Sequence, residues 1–503
     1  MSLASAWSVA LLGVDGVLVE IEADIGAGLP GLQLVGLPDA ALSEARDRIR
    51  AAVLNSGESW PSRRMTLALS PATLPKVGSG YDVALAVALL AADRTVSADR
   101  LHGTVLIGEL ALDGRLRPVR GVLPAVLAAR RAGMRRVVVP CGALAEAALV
   151  DGVEVHGAAR LRDVLAWLRD PTAQLERPGP SRPAPPAVVP DLADVLGQPD
   201  ARWAVEVAAA GGHHLLLTGP PGTGKTMLAQ RMVGLLPELG AEEALEVTAI
   251  HSVAGLLAPD TPLLTTPPFV APHHTSSTAA LIGGGSGLAR PGAVSRAHRG
   301  VLLLDEVPEF GPRSLEALRT PLEDGEVRLA RRDGVVTYPA RCQLVLAANP
   351  CPCAPPAERD CTCAPAARRR YLGRLSGPLL DRVDLRVAMR PVTQMDGAGC
   401  EPESTAVVRE RVLAARRAAR ARWGDHGWAT NAEVPGPALR RRYRLPRGVR
   451  APIEHSLRMG LLTARGADRC LRLAWTVADL AGHGCPSEED VAVALNFKDR
   501  RAA

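Results

Sequence analysis

Aromatic side chains are scarce: Phe, Trp and Tyr make up 3% of the 503 residues. Any core must therefore be packed mainly by Leu, Val and Ala, within a hydrophobic fraction of 47%. No run of about 18 apolar residues occurs, which excludes a transmembrane helix as a reading. The N-terminus lacks a basic segment, and Glu20, Glu22 and Asp24 follow soon after, so no secretory signal is expected. Cysteine is sparse and uneven, with four of the nine inside residues 351–363. The expectation is a cytosolic chain without a membrane partner. In a reducing compartment a tight cysteine cluster points to metal binding more than to disulfides. The net charge of +6 is a weak indication of a polyanionic partner.

A chain of this length admits roughly two to four domains. Residues 1–170 read as mixed α/β, with strand-like runs at 64–69, 104–107 and 136–139 and helical spacing at 40–54 and 82–92. The segment 171–189 contains nine residues, 178–186, of which five are proline. Such a run sustains neither a helix nor a central strand, so it reads as a semi-rigid linker. Residues 190–395 alternate β-like and helical runs, the pattern of a parallel sheet with crossover helices. Residues 396–503 read as helical, with an Arg-rich, solvated helix at 403–423 and an amphipathic one at 467–480.

Gly219-Pro220-Pro221-Gly222-Thr223-Gly224-Lys225-Thr226 fits G-x-x-x-x-G-K-[ST]. It follows an apolar run at 214–217 and opens a helical pattern at 227–236, the context a P-loop requires. Its glycines let backbone N–H groups curl around phosphates, and the helix N-terminus adds partial positive charge. Lys225 is expected on the β- and γ-phosphates of ATP and Thr226 on magnesium. The apolar run 301–304 then delivers Asp305 and Glu306 to a strand end, where ligands bind in open α/β sheets. Asp305 would hold the magnesium and Glu306 would polarise the attacking water. A further apolar run, 343–348, ends in Asn349-Pro350. That amide could meet the water or the γ-phosphate, or simply make a turn.

The order of these parts resembles an AAA+ ATPase, and residues 191–198, ending in Gln198, resemble the adenine-contacting segment ahead of its P-loop. Several stretches more specifically resemble the magnesium-chelatase-like ATPases of the ComM/YifB family. They are Pro272-His-His-Thr, Gly283-Gly-Gly-Ser-Gly, Arg290-Pro-Gly-Ala-Val-Ser-Arg-Ala-His, Pro321-Leu-Glu-Asp-Gly-Glu, Asn349-Pro-Cys-Pro-Cys and Ser376-Gly-Pro-Leu-Leu-Asp-Arg-Val-Asp. The resemblance implies a central AAA+ parallel-sheet domain, a C-terminal helical lid, and a homo-oligomer, typically a hexameric ring. It implies that Arg382 is the arginine finger that reaches a neighbour's γ-phosphate and that Arg465 is the sensor-2 arginine of the lid. It also implies an ATP-driven DNA helicase or branch-migration translocase in recombination or uptake of transforming DNA. A hairpin is expected at 326–338 around Asp333-Gly334. Arg331 and Arg332 at its tip would either contact DNA phosphates or be solvated.

The N-terminal region resembles the Lon protease proteolytic domain, a ribosomal-S5-like α+β fold, through Ile107-Gly-Glu-Leu-Ala-Leu-Asp-Gly-Arg-Leu and Ala128-Ala-Arg-Arg-Ala-Gly-Met-Arg-Arg-Val. That alignment puts Gly80 at the nucleophile position and Leu123 at the lysine position, with Ser79 one residue off. Leucine cannot serve as a base, so no peptidase activity is expected. Cys351, Cys353, Cys361 and Cys363 offer four soft ligands for a closed structural zinc site, with the arginines at 368–370 to offset surplus negative charge. Free thiols or a redox switch are the alternatives. Two other functions stay open: a motor subunit for metal insertion into a tetrapyrrole, and a protein-remodelling ATPase.

Overall fold

The computed structural model describes residues 2–36, 39, 42, 44–179, 189–258, 262–285, 289–331, 334–356, 358–391 and 402–498. In the N-terminal part seven strands form one mixed sheet, in the order Gly31–Val35, Arg64–Ser70, Asp15–Gly26, Ser2–Leu12, Thr104–Leu106, Arg136–Pro140, Glu154–Ala158. Val19, Ile21, Ala23 and Ile25 alternate inward along Asp15–Gly26, so one face of that strand is core and the other is wetter. Helix Asp82–Ala92 is buried at every residue. Its first residue, Asp82, is offset by a forked pair of bonds from Arg48, at 2.9 and 3.1 Å.

This packing runs past residue 170. Leu175 is buried, and Glu176 pairs with Gly157 through bonds of 2.7 and 3.1 Å. The expected linker thus begins as a docked segment. Most of its proline run, residues 180–188, lies outside the described residues.

A second sheet of five parallel strands follows, in the order Phe269–Val270, Val301–Leu304, Gln343–Ala348, Leu215–Thr218, Leu385–Ala388. Val301–Leu304 and Gln343–Ala348 are buried at every residue, as expected where elements cover both faces of a parallel sheet. Because the strands run the same way, Thr218, Leu304 and Ala348 all end on one edge.

Helices Pro199–Gly211, Thr405–Trp423 and Ala464–Ala481 pack together over this sheet. Several of the few aromatics meet here: the ring of Trp423, fully buried, stands edge-on to Tyr443 at 4.5 Å and Trp475 at 5.4 Å. The Arg-rich helix is not simply a solvated face. Arg411 forks onto Glu206 at 2.7 and 2.9 Å, Arg416 donates to the Ala209 carbonyl at 2.8 Å, and Arg422 pairs with Asp479. Much of the positive charge on this helix is spent holding helices together.

The two sheets are joined by helix Val122–Arg131 lying against helix Ala241–Ala254. Between them the half-buried carboxylate of Glu146 accepts from the Leu123 N–H at 2.7 Å and the Ser252 hydroxyl at 2.5 Å. No described helix is long and apolar enough to cross a membrane.

Candidate active site

The loop after Thr218 turns on two glycines in left-handed backbone, Gly222 at φ +77° and Gly224 at φ +87°, which favour residues without a Cβ. Gly219 is required for a different reason: a Cβ there would lie 2.6 Å from the Met389 carbonyl oxygen. Helix Lys225–Leu235 starts directly behind the loop, so its first N–H groups face the loop's concavity. The Lys225 ammonium is held inside by the carbonyls of Gly219 at 2.7 Å and Pro220 at 2.8 Å, and by Asn349 Oδ1 at 3.1 Å. Burial lowers its pKa, against the pull of Asp305 and Glu306. Gln198 bridges the loop to the neighbouring strand end, donating to Arg390 O at 2.5 Å and Thr223 O at 3.5 Å.

At the end of strand Val301–Leu304, one strand beyond Gln343–Ala348, Asp305 Oδ2 accepts the Thr226 hydroxyl at 2.5 Å and Asp305 Oδ1 accepts the Glu306 N–H at 2.8 Å. The Thr226 and Asp305 oxygens are hard donors from two elements, a set that suits magnesium, which takes few protein ligands and completes its shell with water and phosphate. Glu306 stands at φ +50°, a left-handed conformation that costs a non-glycine residue of order 1 kcal/mol. Its carboxylate meets His274, whose Nδ1 lies 3.2 Å from Oε2. The His274 ring stacks near His273, at 4.1 Å between centroids. Nothing in Pro272-His-His-Thr told which imidazole would face the acidic strand, so this partner was missed.

Arg382 and Arg465 are not brought to this loop. Arg382 precedes strand Leu385–Ala388, at the sheet edge opposite the P-loop, roughly 13 Å away at about 3.3 Å per residue. There Arg382 pairs with Glu323 Oε2, and Arg465 Nη2 lies 3.9 Å from Glu323 Oε1. Glu323 as their shared partner was also missed, although it sits inside a motif noted above. Beside them Asp384 is buried, with Arg469 at 2.8 Å and His213 at 3.5 Å. Burial would raise its pKa, but Arg469, His213 and Lys498 together hold it well below the usual carboxylate value.

The comparisons with known proteins agree along the chain. Residues 191–396 match the family described as magnesium chelatase, subunit ChlI; residues 21–143 match subunit ChlI of Mg-chelatase; residues 402–498 match its C-terminal region. An uncharacterized protein of Mycobacterium tuberculosis H37Rv is 63% identical over 502 residues, covering 100% of both chains. Escherichia coli YifB is 41% identical over 500 residues, 99% of this chain and 97% of that one. Haemophilus influenzae competence protein ComM is 39% identical over 509 residues, 99% and 98%. This chain belongs to the ComM/YifB family of magnesium-chelatase-like AAA+ ATPases. Membership implies ATPase activity. A Lon protease of Mycolicibacterium smegmatis is also similar, 29% identical over 178 residues, but that match covers only 33% of this chain and 22% of the protease.

In this ComM/YifB chain the Lon-like region holds no serine–lysine pair at the places aligned above. Lys76 is fully buried and donates to the Pro71 carbonyl, while the Ser79 hydroxyl donates to Glu109. Leu123 is fully buried. Arg331 closes the ladder of an antiparallel hairpin, Glu326–Arg331 with Gly334–Pro339, paired from Glu326–Pro339 to Arg331–Gly334. The Arg331 side chain and all of Arg332 lie outside the described residues. The Sγ atoms of Cys351, Cys353, Cys361 and Cys363 all lie within 4.8 Å of one another.

Proposed function

We propose that this chain is an ATP-driven DNA motor that works as a homo-oligomeric ring, hexameric by analogy with AAA+ assemblies, on single-stranded or branched DNA. Recombination or the uptake of transforming DNA is the setting, in keeping with the competence protein among its relatives. Residues 1–170 form a non-proteolytic Lon-like domain, 190–395 the motor core and 396–503 the lid, with the proline-rich segment 171–189 between. A structural zinc ion sits in the cysteine insertion 351–363.

The observation that carries this reading is the hairpin. It is inserted between the strand that ends at Asp305 and the strand that ends at Asn349. Its base is anchored in the same core by buried Val327 and Tyr338, with the Tyr338 hydroxyl bonded to Ala289 O at 2.5 Å. A lever rooted between the two catalytic strands moves when they move. Its arm carries Arg328, exposed and paired with Glu326, and the sequence continues to Arg331 and Arg332, cations suited to a phosphate backbone.

ATP supplies the bond to be broken and magnesium neutralises its phosphates. Lys225 and the loop N–H groups hold the β- and γ-phosphates, and Gln198 lies at the adenine side. Thr226 and Asp305 hold the ion, while Glu306 accepts the proton of the attacking water. Asn349, held to Lys225, senses the γ-phosphate. Arg382, at the sheet edge opposite its own loop, serves as the arginine finger of a neighbouring subunit's site, and Arg465 serves as the sensor-2 arginine of the lid.

The test is steady-state ATPase activity with and without single-stranded and forked DNA. Stimulation lost in the Arg331→Ala/Arg332→Ala variant is expected. Activity indifferent to every DNA would overturn the DNA motor. Stimulation by chelatase partner subunits, or by unfolded protein, would then identify the alternative motor.

A further inference from the structure

Strand Gln343–Ala348 is followed by a stretch that runs from Asn349 to helix Pro365–Leu372. Within 351–356 the described backbone hydrogen bond is Ala354 N–H to Cys351 O, at 3.3 Å, and Ala354 itself stands at φ +43°. A single turn of 3-10 helix, Glu358–Asp360, is the regular structure before Cys361. Among the described residues this stretch has few backbone bonds, so a further constraint would help it hold one shape.

The thiols supply the geometry for it. Cys351 Sγ lies 3.4 Å from Cys353 Sγ and 3.4 Å from Cys361 Sγ, and Cys353 Sγ lies 3.6 Å from Cys361 Sγ. A disulfide would need about 2.05 Å, so none of these pairs is one. Four sulfurs bound tetrahedrally at about 2.3 Å from one zinc ion would be about 3.8 Å apart. The observed spacings fall a few tenths of an ångström short of that, a contraction a bound ion would relax. Among the described residues the four cysteine sulfurs form the whole donor group, as in a closed site.

Both ends of this knot lead to the catalytic strands. On one side Cys351, buried, is two residues beyond Asn349, which contacts Lys225. On the other, Cys363 feeds helix Pro365–Leu372. Its Tyr371 is buried. Just beyond, Arg374 donates to Pro308 O at 3.0 Å and pairs with Glu309 at 3.0 Å. Residues 307–309 are the turn that directly follows Glu306. The cysteine stretch is therefore a strap from the Asn349 amide to the wall behind the Glu306 carboxylate.

We propose that one zinc ion, held by Cys351, Cys353, Cys361 and Cys363, closes this strap and thereby positions Asn349 and Glu306 relative to each other. The four cysteines are positioning residues: none reaches the nucleotide loop. Loss of the ion lets Asn349 drift from Lys225 and slows turnover. It leaves nucleotide affinity within about twofold, because the loop, Lys225 and Thr226 belong to the strand–loop–helix unit outside the strap. This rests on the ATPase site and not on DNA, so the test is run without DNA.

The full-length protein is purified without chelator and its zinc is counted. It is then compared with Cys353→Ser/Cys361→Ser and with wild type stripped by a chelator and reloaded with zinc or cobalt. One zinc per chain is expected, lost in the variant, and cobalt should give the intense thiolate-to-metal absorption of a four-sulfur site. Metal loss should lower kcat about tenfold, with recovery on reloading, while affinity for a fluorescent ATP analogue changes less than about twofold. Absence of zinc together with absence of the cobalt signature overturns the site. Bound zinc whose removal leaves kcat unchanged, or lowers kcat and nucleotide affinity together, overturns the positioning role. If the double variant does not fold, Cys361→Ser alone and the stripped wild type carry the same comparison. A DNA-independent enzyme with zinc-dependent kcat would leave this inference standing and sink only the DNA motor.

Discussion

Asp384 offers the sharpest test of how the C-terminal helices are fastened to the motor core. It sits at 4% exposure between the sheet and helix Ala464–Ala481, with Arg469 Nη1 at 2.8 Å. Its other oxygen accepts the His214 N–H at 3.1 Å. Arg469 also donates to the Arg382 carbonyl, and Lys498 caps Val383 O at 2.6 Å, so one carboxylate offsets the charge of a small cationic hub. Asp384→Asn keeps the shape and the acceptor for His214 but leaves Arg469 without its counter-charge. Breaking one side of a buried pair costs roughly 3–5 kcal/mol. The Arg469 side chain retains 16% exposure and can take up water, which places the cost near the lower end, about 3 kcal/mol. For a cooperative unit of this size that is a melting shift of roughly 6–12 °C. Thermal melts at neutral pH read it directly, and adding Arg469→Met to the Asp384→Asn variant should recover part of the loss. The pH dependence has a definite sign. The folded carboxyl lies well below its ordinary value, so its stabilisation is complete above the unfolded value near 4 and fades as pH falls through the folded value. The gap between wild type and variant should therefore be flat at neutral pH and close below about pH 4. A variant melting within about 2 °C of wild type, or a gap that widens on acidification, would refute the reasoning.

Lys225→Ala removes a charged donor from the loop and should weaken nucleotide binding roughly 10- to 100-fold, measured with a fluorescent ATP analogue. Glu306→Gln should bind nucleotide within about twofold of wild type and lose at least about 100-fold in turnover; wild-type hydrolysis by this variant would remove Glu306 as the base. His274→Ala frees the Glu306 carboxylate from a half-exposed partner and should raise basal turnover by up to about fivefold, the equivalent of about 1 kcal/mol, at unchanged KM. Incubation with casein and ATP should yield no fragments; cleavage that Ser79→Ala abolishes would show that the Lon-like region is a protease after all.

What could be read in advance was local. The strand, glycine loop and helix at 215–235 are contiguous, and Asp305 and Glu306 directly follow an apolar run. Their placement needs only the rule that parallel strands bring their C-terminal ends to one edge. The contacts that escaped reading join residues far apart in the chain. His274 meets Glu306 only because strand Phe269–Val270 pairs beside Val301–Leu304. Glu323 meets Arg382 across 59 residues of the core and Arg465 only where helix Ala464–Ala481 docks. The arginines of helix Thr405–Trp423 looked solvated because their partners Glu206 and Asp479 lie on other helices. The docking of Glu176 was obscured by the prolines that follow it, since composition marks where a helix cannot form and not where an extended segment can pair.

Glu146 and its two donors carry a consequence for how the chain can be divided. Leu245 and Ala249, on a helix of the motor core, belong to the same apolar cluster as Val122, Val126 and Ala129 of the N-terminal part. Cutting the chain in its proline-rich segment would not release two finished proteins. It would bare an oily stripe on each piece and strand the Ser252 hydroxyl opposite nothing. The segment that looks most like a border is thus a bridge over a seam that folding has already closed. The Lon-like part is better regarded as a fixed shoulder of the motor than as a passenger tethered to it.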